Sequence, residues 1–134
     1  MSEKKFTIVI AKGANHDHLK IQNIEDMLDG AGIRDYVTAN YANEAINASE
    51  KGSCLLIIDS VVAGWQDGDG DEPDATARRV LAASKKNPGC KTLLFTSVPF
   101  SLGADDVDIF IINNGIEGYN KLETEVKKYA AQFN

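Results

Sequence analysis

Residues 54–58, Cys-Leu-Leu-Ile-Ile, are apolar at every position and end abruptly on Asp59. A strand with one wet face alternates apolar and polar residues. An unbroken short run is what a strand covered on both faces requires. Such a strand belongs in a parallel sheet sandwiched between helices, so this run narrows the chain to α/β folds. The remaining sequence fits that frame, because strand-like and helix-like segments alternate along its length. Residues 6–11 (Phe-Thr-Ile-Val-Ile-Ala) are rich in β-branched side chains, and Ile24, Met27, Leu28 and Ala31 then recur at helical spacing before Gly30 and Gly32 stop the pattern. A weaker strand covers residues 35–39, and residues 41–51 read as a short helix closed by Gly52. Asp74 is a good N-cap for a helix through Ala77, Val80, Leu81 and Ser84, which Asn87-Pro88-Gly89 ends.

Residues 92–97 (Thr-Leu-Leu-Phe-Thr-Ser) form a fourth strand. Residues 105–114 read either as a strand or, through Val107, Phe110 and Ile111, as one face of a helix. The pattern predicts a short fifth strand over residues 117–120. A final helix follows, with Leu122, Val126, Tyr129, Ala130 and Phe133 in one apolar stripe. Parallel strands need crossovers, so repeated strand–helix alternation implies a doubly wound sheet with helices on both faces. In such sheets function gathers outside the carboxyl ends of the strands. Asp59, Thr96 and Ser97 all fall there.

At 134 residues, with 43% hydrophobic and 25% charged residues, the chain is expected to be one soluble domain spanning residues 1–134. No apolar run approaches the roughly 20 residues of a membrane span. The segment FTIVIA is too short for a signal-peptide core. The expected location is therefore the cytoplasm, and no membrane partner is expected. Cys54 and Cys90 lack metal-ligand spacing and adjoin apolar runs, which reads as two buried thiols in a reducing compartment. A net charge of -6 argues against a nucleic-acid partner, which needs a basic face. Five of the negative charges (Asp67, Asp69, Asp71, Glu72 and Asp74) lie in one loop, which leaves the rest of the chain close to neutral.

The segment YVTANYANEAINASEKGSCLLIIDS, residues 36–60, resembles the second strand, second helix and third strand of the receiver domains of two-component response regulators. The resemblance implies the CheY-like, flavodoxin-like fold, a five-stranded parallel sheet in order 2-1-3-4-5. It further implies that Asp59 stands where receivers accept a phosphoryl group from a histidine kinase. Thr96 in LLFTS matches the hydroxyl residue that hydrogen-bonds the acyl phosphate. Lys121 in EGYNK is the candidate for the lysine ending the fifth strand, and Tyr119 for the switch aromatic. Nucleophilic carboxylate, hydroxyl donor and cation would then meet at one rim and stabilise a transferring phosphoryl group. In receivers the fourth helix, fifth strand and fifth helix form the face where partners dock.

The departures bear on function. Receivers follow the first strand with two acidic residues that hold Mg²⁺, whereas this chain reads Ile10-Ala11-Lys12-Gly13. Leu122 stands where a proline normally follows the lysine. Tyr119 is two residues before Lys121 instead of three, which in a strand puts both on one face. These losses describe an atypical, or pseudo-, receiver. Such a domain would act by binding a protein, either a histidine kinase or an output protein, and not as an enzyme. No cofactor is expected, and Mg²⁺ binding at Asp59 should be weak or absent. Asp67, Asp69 and Asp71 alternate like the start of a calcium loop, but Glu72 and Arg78 occupy that motif's glycine and final glutamate positions. They remain weak metal candidates, as do His16 and His18, while Trp65 in the same loop fits either the core or a partner surface. The alternative class is a flavodoxin-like domain binding a small ligand or metal at the rim. Against it, AKGANHDH after the first strand lacks a phosphate cradle.

Overall fold

The computed structural model describes residues 5–12, 18–59, 75–97 and 102–133. Within them β1 (Thr7–Ala11), α1 (His18–Gly30), β2 (Tyr36–Ala39), α2 (Ala42–Ser49), β3 (Cys54–Ile58), α3 (Ala75–Ser84), β4 (Cys90–Thr96), β5 (Ile109–Ile112) and α4 (Ile116–Ala131) follow in chain order. All pairings are parallel and the sheet runs β2-β1-β3-β4-β5, the expected order. The all-apolar run lies at its centre, with all five residues of β3 buried.

Strand alternation sorts the core into two layers. Ile8, Ile10, Leu55, Ile57, Leu93 and Phe95 face α1 and α4, where Ile24, Leu28, Leu122 and Val126 meet them. Val9, Leu56, Ile58 and Leu94 face α2 and α3, packing on Ala42, Ala45, Val80 and Leu81. Each large side chain removed from water in these layers contributes roughly 1.5–3 kcal/mol. Small residues on α2 let that helix lie close to the sheet.

The second half of the chain departs from the sequence expectation. The ambiguous segment is a strand, β5 at Ile109–Ile112, and residues 117–120, expected as a strand, form the first turns of α4. Among the described residues of the β4–β5 connection, the only helical element is one 3₁₀ turn, Ala104–Asp106. Four α-helices are therefore described where five helix-like segments were expected. Two features set this register. Asp108 Oδ2 accepts from Thr92 N at 2.8 Å and from Thr92 Oγ1 at 3.1 Å, while Asp108 N donates to Thr92 Oγ1 at 3.0 Å, so the start of β5 is clamped to β4. After β5, Gly115 at φ +93° turns the chain through a conformation that favours glycine, and Tyr119 N closes the first α4 turn on Gly115 O. The apolar stripe of α4 reaches back to Gly118, which is buried against the Ile112 carbonyl. A glycine in a stripe position hides the helical period, and Tyr119 beside it mimics a strand.

Candidate functional site

Asp59 follows β3 one step past the Ile58–Leu94 rung, and Thr96 is the last residue of neighbouring β4. The structure thus brings these two expected residues to adjacent strand ends on one rim. It does not bring Lys121 there. Lys121 sits on α4, 64% exposed, and pairs with Glu117 one helical turn away at 3.6 Å. The fifth strand ends four residues before α4 begins, so the lysine expected at a strand end lies on a helix instead.

The cation at Asp59 comes from an element that sequence reasoning passed over. Lys20, in the first turn of α1, donates from Nζ to Asp59 Oδ2 at 2.5 Å and to the Phe95 carbonyl at 2.8 Å. The side chains are only 16% and 22% exposed. The Lys20 ammonium also lies 5.3 Å from the centroid of the Phe95 ring, within cation–π range. One lysine therefore ties the end of β3 to the end of β4. A signal for it exists in the sequence. Lys20, Ile24 and Leu28 share one helical stripe, so the lysine occupies a core-facing position at the end of α1 nearest the rim. A cation there also opposes the helix dipole, which calls for a specific anionic partner.

Tyr119, expected on a strand beside a lysine, is on α4. Its ring packs edge-on against Phe95, with centroids 5.1 Å apart and planes at 72°. Tyr119 and Lys20 thus share Phe95 as a neighbour. Asp67, Asp69, Asp71, Trp65, His16, the His18 side chain and Val98-Pro99-Phe100 lie outside the described residues.

The space beneath the pair is nearly filled. A void of about 10 Å³ remains between Ile10, Ile24, Ile57, Lys20, Asp59 and Phe95, about one water molecule. A larger open groove, about 380 Å³, runs along β5 and α4 between Ile109, Phe110, Ile111, Asn120, Lys121 and Thr124.

Neither a family model nor a curated protein matches the chain. Solved structures do. A two-component response regulator from Clostridium difficile superposes with a TM-score of 0.63 at 20% identity, covering 96% of this chain and 98% of its own. A CheY-like response regulator receiver domain protein from Methanospirillum hungatei gives 0.60 at 18%, covering 96% and 99%. The receiver domain of a sensor histidine kinase from Pseudomonas aeruginosa, which holds a magnesium ion in its active-site cleft, gives 0.57 at 13%, covering 95% of each chain. The fold is that of the response regulator receiver domains. It is the CheY-like, flavodoxin-like sheet.

The described residues do not fit a receiver's metal. Ala11 is buried in the core, Lys12 stands where the second acid would, and Asp59 Oδ2 already holds an ammonium. Among the described residues, no group of three or more His, Cys, Asp or Glu side chains is placed to bind an ion. Mg²⁺ needs several oxygen ligands in near-octahedral array, and one carboxylate shared with a lysine does not supply them. No helix among the described residues is long and apolar enough to cross a membrane.

Proposed function

We propose that the chain is a receiver-like module of phosphorelay signalling that works by binding a protein partner, with Asp59 as its candidate phosphoacceptor. The carrying observation is the position of Asp59, at the carboxyl end of the central strand and beside the strand that ends in Thr96. In this reading Lys20 takes the part that the resemblance gave to Lys121. A phosphoryl group arriving at Asp59 adds negative charge to a carboxylate, and an adjacent preorganised cation stabilises that charge without metal. Partner binding is supported by the apolar surface at the same end of the sheet. Ile112, Leu19 and Ile116, at the end of β5 and the starts of α1 and α4, are all exposed. A groove along β5 and α4 offers further partly apolar surface. A histidine kinase or an output protein is the partner class this reading implies.

Acetyl phosphate, a small phosphodonor, tests the assignment by intact mass. Wild type is expected to gain a phosphoryl group slowly and without dependence on Mg²⁺. Asp59→Asn should gain none, Lys20→Met should gain less than wild type, and Lys121→Ala should match wild type. Absence of any phosphorylated wild type after prolonged exposure would remove Asp59 as phosphoacceptor. Labelling that required Mg²⁺ and ignored Lys20 would overturn the role given to the lysine.

A further inference from the structure

The amino-terminal end of the sheet, opposite Asp59, holds both cysteines. Cys54 opens β3, Cys90 opens β4, and the register makes them Cα partners across the parallel ladder. Partners on neighbouring strands project to the same face, and both side chains belong to the α2–α3 layer. Neighbouring strands lie about 4.7–4.9 Å apart. That falls inside the Cα separation of roughly 4.4–6.8 Å that a disulfide spans. Both are free thiols. Cys54 is fully buried, its Sγ 3.6 Å from the Ser49 carbonyl and 3.9 Å from Asn87 Nδ2. Cys90 is half-buried and lines an open cleft of about 330 Å³ with Ser53, Lys91, Asp108, Tyr129 and Phe133. The thiols also interact with each other. The hydrogen bond to Cys90 holds Cys54 below the ordinary thiol range, while the same contact and burial push Cys90 up. The pair therefore parts with its first proton more readily than a lone thiol does.

We propose that Cys54 and Cys90 form a reversible dithiol–disulfide site, oxidised by small hydroperoxides that reach Cys90, its half-buried member. The reaction balances on these two residues. The thiolate of the pair rests on Cys54. Passing the Cys90 proton to Cys54 leaves a minor thiolate on Cys90, the more accessible sulfur. This thiolate attacks the peroxide, breaking the O–O bond. It becomes a sulfenic acid and releases an alkoxide or hydroxide, which takes up the proton lost from the pair. The Cys54 thiol then attacks the Cys90 sulfur, forming the S–S bond and expelling the sulfenic oxygen as water. Two thiols lose two electrons and two protons, and the peroxide is reduced to water and an alcohol, or to two waters. A bridge between directly paired positions draws the Cβ atoms closer than the relaxed ladder holds them, and strained disulfides reduce readily. Nothing in this site depends on Asp59.

The test uses the full, reduced chain. It is treated with hydrogen peroxide in native buffer, denatured, alkylated with N-ethylmaleimide and weighed intact. The expected product has lost two hydrogens, carries no maleimide and yields one peptide linking residues 54 and 90, and dithiothreitol reverses all three. Cys90→Ser should form no linked species. Cys54→Ala should leave a Cys90 sulfenic acid that dimedone captures. Should either variant fail to fold, the wild-type mass and linked peptide decide alone. Two maleimide adducts after peroxide, a stable sulfinic acid on wild type, or a bridge between two chains would each overturn the proposal.

Discussion

Lys20 stands in the first turn of α1, where the helix dipole disfavours a cation by about 0.3–1 kcal/mol. Its bonds to Asp59 and to the Phe95 carbonyl offset that cost. Because the pair is mostly buried, removing one member deprives the other of its counter-charge. Such a loss costs about 1–3 kcal/mol. Lys20→Met and Asp59→Asn should therefore each lower the urea midpoint at neutral pH with unchanged slope. The double variant should recover part of the loss, since neither charge remains. A gain in midpoint for Asp59→Asn would instead mean repulsion at the rim. Lys121→Ala should stay within about 0.5 kcal/mol of wild type, as expected for an exposed pair along a helix. A second residue gives a pH signature. Burial pushes the Tyr129 phenol up, so folding favours its neutral form. That contribution is complete below the ordinary phenol value of about 10 and is lost as pH rises through the folded value. Wild type should lose urea stability above about pH 10, and Tyr129→Phe should lose less. Tyr36 and Cys90 shift in the same direction, so the variant removes only part of the slope.

At the level of elements, the join between β5 and α4 depends on a residue without a side chain. A Cβ on Gly118 would lie 2.5 Å from the Ile112 carbonyl oxygen and 3.0 Å from Asn114 Oδ1. Gly118→Ala gains about 1 kcal/mol of helix propensity. It nevertheless forces apart a strand end and a helix start that are both fixed by backbone. The clash should prevail, with a net loss of about 1–3 kcal/mol in urea unfolding. An unchanged or higher midpoint would show that the junction yields. The same glycine explains why this stretch was hard to read. β1, β3 and residues 92–96 of β4 were legible because they are uniformly apolar or β-branched. Residues 109–112 satisfy both periods at once, and residues 117–120 have a glycine where the helical stripe needs bulk. The register that makes β5 a strand comes from the Thr92–Asp108 clamp, a tertiary contact that local pattern does not carry. The site was half legible for the same reason. Asp59 and Thr96 follow from strand ends, while Lys20 reaches Asp59 across 39 residues of sequence.

For the whole molecule, strand order and the two core layers followed from alternation and resemblance, because a doubly wound sheet leaves few topologies. That sheet keeps the receiver strand order. Residues 10–13 read Ile-Ala-Lys-Gly where the resemblance calls for acids, so a weak response to divalent ions is expected. If Mg²⁺ binds no tighter than 10 mM, 10 mM of the ion stabilises the fold by at most about 0.4 kcal/mol. Thermal unfolding should then hardly move, in wild type and in Asp59→Asn alike. A saturable gain lost on Asp59→Asn would contradict this, and one lost on neutralising Asp67, Asp69 and Asp71 would place the ion in the acidic loop. The source of the cation has a mechanical consequence as well. A lysine at a strand end is fixed by the ladder and keeps its distance from the neighbouring strand. Lys20 rides instead on a helix, whose seat on the sheet is made by side-chain packing through Ile21, Ile24 and Leu28. Any load that tilts or lifts the first turn of α1 withdraws the ammonium from both strand ends together. The rim then works as a position gauge for that helix, registering its displacement as negative charge on Asp59 that the ammonium no longer balances.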